Sequence, residues 1–130
     1  MRHGTVMSLR GTASGRLFAA YLPREAVLAA LEEEREHGPQ AGGGPLIDAA
    51  FRRQLEEVRR RGLSHTIDGA VPGVSALAAP VFDAAGHIVL SLTAIGPSGV
   101  FDARYDGPLA AALKRSADAL SRQLGTPPAA

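Results

Sequence analysis

Apolar residues recur along this chain at two periods, and the change between them divides it. From Thr12 the period is helical, with Leu17, Phe18, Tyr21 and Leu22 three and four positions apart. Thr12 or Ser14 supplies a hydroxyl cap for that helix. Pro23 stops it and suits the first turn of the next. There Val27, Leu28 and Leu31 form an apolar stripe, Glu32–Glu36 face water, and Gly38-Pro39 ends the pattern. The Gly42-Gly43-Gly44 run reads as a mobile loop. Asp48 then caps a third predicted helix, with Phe51, Leu55 and Val58 on one face. Arg59-Arg60-Arg61 fills its last turn and Gly62 follows. Cations there complement the macrodipole and glycine takes the left-handed cap, so the basic triplet reads as a helix end rather than a DNA contact.

Beyond a polar bend the period becomes two. Val74–Phe82 and Ile88–Ile95 read as strands around an Asp83–Gly86 turn, and Gly96-Pro97-Ser98-Gly99 breaks the second. Pro108 opens a last helix with Leu109, Leu113, Ala117, Leu120 and Leu124 in register, closed by Gly125 and two prolines. Helix, helix, helix, strands, helix is an α+β order with an antiparallel sheet, not a βαβ chain.

Composition narrows the chemistry. The 130 residues suit one core, and a net charge of +1 gives no field for nucleic acid or a membrane surface. With no cysteine, thiolate catalysis, disulfides and Cys-based zinc sites are excluded. No apolar run approaches a membrane span and no signal-peptide core is present, so a cytoplasmic location is expected. Aromatic residues are only 5% and Trp is absent, which disfavours stacking on single-stranded nucleic acid.

Three places carry polar groups worth testing. Thr12-Ala13-Ser14-Gly15 opens a helix, where free amides and the positive dipole end suit a small carboxylate; the same residues also serve as a plain cap. Ser91 and Thr93 share one face of a strand, directed either to a pocket or to solvent. Thr66 and Asp68 lie in the bend before the hairpin, where such groups commonly bind local backbone. The four histidines are scattered: only His65 and Asp68 are close, and a metal needs further ligands. Ser75 lacks the Gly-x-Ser-x-Gly elbow of a hydrolase nucleophile, and no acid–base pair is legible. No catalytic residue, metal site or cofactor is therefore expected.

The chain resembles the effector-binding domain of IclR-type bacterial transcription regulators. Gly4–Arg16 is similar to the family's glycine, Pro-Leu-His-like step and Thr/Ser-Ala-x-Gly-Lys/Arg helix start. Arg59-Arg60-Arg61-Gly62-Leu63 resembles its helix end. Gly73–Asp83, Gly86 and Ser91–Pro97 resemble its central hairpin, and Ala119–Gly125 its close. The resemblance implies a GAF-like fold binding a small metabolite, often an organic or aromatic acid, and assembling into homo-oligomers. Carried over by position, the pocket draws on Ala13, Ser14, Thr66, Asp68, Ala76, Thr93 and Ile95. Ser8 and Arg10 depart from the family's proline and histidine, and Ile95 replaces a common hydroxyl, which favours a less polar ligand. By the same resemblance residues 1–125 form a partial domain and 126–130 a disordered tail. The winged helix-turn-helix and the opening helix and strand pair have no counterpart, so this chain should not contact nucleic acid directly, and a sheet edge is left to self-association.

Overall fold

A computed structural model describes residues 9–37, 45–68 and 72–125. The expected glycine loop at 42–44, the stop at Gly38-Pro39 and the tail at 126–130 lie outside them. In chain order the elements are α1 (Ala13–Tyr21), α2 (Arg24–His37), α3 (Ala49–Arg61), β1 (Ser64–Ile67), β2 (Val74–Phe82), β3 (Ile88–Pro97) and α4 (Pro108–Gln123). The three strands form one antiparallel sheet in the order β1-β2-β3. The α+β reading therefore stands.

Local chemistry sets the helix limits. Thr12, not Ser14, caps α1: its hydroxyl accepts from the Gly15 amide at 2.9 Å. Asp48 caps α3 by accepting from the Phe51 amide at 2.8 Å, and also pairs with Arg10 at 2.7 Å. Gly62 ends α3 at φ 71, a left-handed conformation, where a Cβ would lie 2.5 Å from the Lys114 ammonium. The last residues of α3 also serve tertiary structure, because Arg59 donates to the Ala20 carbonyl near the end of α1.

Three expectations need correction. The polar bend contains strand β1, whose four residues pair with Ala78–Ser75; a segment that short and polar becomes a strand only through its partner. β3 does not break at Gly96 but runs to Pro97, which faces Val74 at the end of an edge strand, where a missing N–H is tolerated. The buried stripe of α4 is Ala110, Leu113, Ala117 and Ser121, while Leu120 and Leu124 are exposed. Ser121 fixes that rotation by accepting from the Phe82 amide at 2.9 Å and donating to the Ala117 carbonyl at 3.0 Å. Small side chains at 110 and 117 let the helix lie close to the alanine-rich strand.

The pleat separates two cores. Leu77, Ala79 and Val81 of β2 pack with Leu63, Ala110, Leu113 and Ala117 on the α4 side. Ala78 packs on the opposite face with Ala13, Leu17, Val27, Leu31, Phe51, Leu55 and Val58. That second face, beneath α1, carries Thr66, Ser91 and Thr93.

Candidate functional site

Directly paired residues of an antiparallel sheet share a face, so the register fixes which side chains lie under α1. Ser64, Ala78 and Thr93 form one row across it, and Thr66, Ala76 and Ile95 the next. Ser91 lies one step away, paired with Pro80. From above, the first turn of α1 brings Ser14 onto the sheet. Ser14 Oγ is 2.8 Å from Thr93 Oγ1, Ser91 Oγ is 2.8 Å from Thr93 Oγ1, and Ser91 Oγ is 3.3 Å from Ser14 Oγ. All three residues are half-buried.

A proton inventory decides what this ring offers. Each hydroxyl has one proton and two lone pairs. Ser91 donates to Ser14, so Thr93 must donate to Ser91 and Ser14 to Thr93. Every proton is spent inside the ring, and each oxygen keeps one lone pair. The ring thus presents acceptors. The donors beside it are backbone: the Thr12 hydroxyl takes the Gly15 amide, while Ala13 and Ser14 precede the first residue able to bond within the helix. Acceptors from the strand and donors from the helix start meet at Ser14.

The structure brings Ala13, Ser14, Ala76, Thr93, Thr66 and Ile95 to this one side of the sheet. Ala13, Ala76 and Thr66 are buried or half-buried, whereas Ile95 is 55% exposed. Asp68 is not brought in. It stands at φ 50, and its carboxylate accepts from the Gly73 amide at 2.8 Å and from Ser98 Oγ at 2.7 Å. Those bonds clamp the link between β1 and β2 onto the end of β3, a local backbone task of the kind such bends perform. Ser91 was absent from the residues carried over by resemblance, although its two-residue spacing from Thr93 signals it. Ser64 was not singled out; its hydroxyl is fully buried under α1 with no hydrogen-bond partner among the described residues. Among those residues no group of three or more His, Cys, Asp or Glu could hold a metal ion, and no helix is long and apolar enough to cross a membrane.

Comparison with known proteins places the chain as a whole. HmgR of Pseudomonas aeruginosa superposes with a TM-score of 0.83 at 40% identity, over 99% of this chain and 50% of that one. An IclR-type transcriptional regulator from a Silicibacter species gives 0.71 at 30% identity, over 98% and 49%. IclR of Thermotoga maritima gives 0.73 at 26% identity, over 95% and 50%. The chain thus spans about half the length of the solved structures it matches. No curated protein matches significantly. The family profile described as the C-terminal part of the bacterial transcriptional regulator IclR matches residues 1–122. The chain belongs to the IclR family of bacterial transcriptional regulators and represents their C-terminal domain.

Proposed function

We propose that this domain senses a small organic acid held between the first turn of α1 and the Ser91–Thr93 stretch of β3. The single observation that carries this reading is the Ser14–Thr93 contact, which joins a helix start to a half-buried ring of hydroxyls. A carboxylate is taken by the amides at the start of α1, where the dipole favours negative charge. A hydroxyl or amino substituent on the same acid donates to the lone pairs left on the ring. Ile95 offers apolar surface to the rest of the ligand, so an aromatic or aliphatic body suits it better than a second charge. Because the ligand bridges α1 and β3 only when the chain is folded, it raises stability by mass action. A thermal-shift screen against aliphatic and aromatic carboxylates tests this: one chemical class should raise the melting temperature saturably. A cooperative melt that no carboxylate moves would overturn it.

The domain acts as a sensor and assembly unit, and DNA contact belongs to other parts of a regulator. A net charge of +1 supports that division, since duplex binding draws on many phosphate contacts. Association of copies is favoured by a specific feature, the edge strand β3. It spans ten residues and exposes Val89, Leu90 and Ile95. Sedimentation should show a dimer or higher species that dissociates on dilution and is weakened by Leu90→Lys. A monomer at all concentrations would remove the association reading without touching ligand binding.

A further inference from the structure

Ser14 and Arg16 are two residues apart on α1, about 200° of rotation at the helical repeat, so they leave the helix on opposite flanks. Ser14 meets β3; Arg16 meets the outer edge of β1. There Arg16 donates from Nη1 to the His65 carbonyl at 3.2 Å, and from Nε to the Arg10 carbonyl at 2.8 Å. The Tyr105 ring stacks on the His65 ring beside the first of these bonds. Arg16 thus closes the His65 carbonyl. The two bonds fix a partly buried guanidinium in place with only neutral carbonyls for partners.

A cation in that position is unbalanced. Among the described residues no carboxylate pairs with Arg16, and burial pulls its pKa below the ordinary value. Two of its five N–H groups are used. The guanidinium borders an open cleft of about 480 Å³, also lined by Arg53, Gln54, Glu57, His65 and Tyr105. Arg53 is exposed, and among the described residues no ion pair involves it. Glu57 is the lining's one acid, and Arg60 and Arg61 take its two oxygens. The His65 and Tyr105 rings stack with centroids 3.9 Å apart and planes 20° apart, giving a flat wall beside the two cations.

We propose that this cleft is a second ligand site, taking an organic oxyanion whose carboxylate or phosphate seats on Arg16 and Arg53 beside the His65–Tyr105 stack. The guanidinium fork matches either anion, and the cleft volume suits a ligand of metabolite size. The site stands apart from the hydroxyl ring, so it does not depend on the effector reading.

The test is a titration of the full chain, followed by NMR of backbone amides and arginine Nε–H groups. Benzoate, phenyl phosphate and inorganic phosphate serve as separate probes. The expected result is a saturable shift at Arg16 Nε and at the Tyr105 amide with at least one probe; which probe acts identifies carboxylate or phosphate as the recognised group. Arg53→Ala, at an exposed helix position, should weaken that probe about tenfold with the ligand-free melting temperature unchanged. Ser14→Asp should leave the titration curve read at Arg16 Nε unaltered. No saturable shift at Arg16 with any probe, or wild-type affinity in Arg53→Ala, would overturn the proposal.

Discussion

Ser14 Oγ lies 2.8 Å from Thr93 Oγ1, so one hydroxyl contact bonds the first turn of α1 to a strand 79 positions along the chain. Thr93 is bonded to both serines of the ring. Thr93→Val keeps the shape but removes both bonds and leaves Ser14 and Ser91 only their 3.3 Å contact with each other. It should cost about 1–2 kcal/mol of stability and most of the ligand response, whereas Thr93→Ser should stay near wild type. Urea denaturation with and without a bound acid measures both.

Thr12 holds the amide of Gly15 at the start of the same helix. Thr12→Ala should destabilise by about 1 kcal/mol, and Thr12→Ser by much less. A loss in the alanine variant below the error of chemical denaturation would show that the cap adds nothing to the packing and side-chain bonds that hold α1.

Ser64 presents the opposite case, a buried hydroxyl with no hydrogen-bond partner among the described residues. Its desolvation has already been incurred without return, so Ser64→Ala should leave stability unchanged or raise it by up to about 1 kcal/mol. A clear loss of stability would mean that the hydroxyl has a partner, such as an ordered water.

Acid should weaken two capped turns. The Phe51 amide, with help from Arg10, holds Asp48 below the ordinary carboxylate range, and Arg104 holds Asp102 at about 2. A depressed folded-state value means that each contributes stability above the unfolded value of 3.8 and loses it as pH falls towards the folded one. Both carboxylates are partly open to water, with side chains 44% and 31% exposed, so the effect is small. Urea midpoints should decline between pH 4 and pH 2 in the wild type, and less steeply in Asp48→Asn.

The sequence made the helix limits legible because each rests on local chemistry: Asp48 before Phe51, Gly62 after three arginines, Pro108 at the head of α4. β1 was not legible, since Ser-His-Thr-Ile gains strand geometry only from pairing with β2. The rotation of α4 was also hidden. Leucines at 120 and 124 fit an apolar register, but the bond from the Phe82 amide to Ser121 turns the helix so that they face water. At the site, the helix start and the hydroxyl strand could each be read from spacing. Their meeting, the clamp that removes Asp68, and the unbalanced Arg16 all depend on residues far apart in sequence.

The most direct test is calorimetric titration of two matched aromatic acids, one hydroxylated and one not, into the wild-type chain and Ser14→Asp. Aspartate in the first turn suits the helix dipole, so the variant should still melt cooperatively. The account predicts saturable binding to the wild type, tighter for the hydroxylated acid because the ring supplies acceptors. It also predicts a loss of about tenfold or more in Ser14→Asp, where a fixed negative charge opposes the carboxylate. Equal affinity of the folded variant and the wild type for both acids would contradict it.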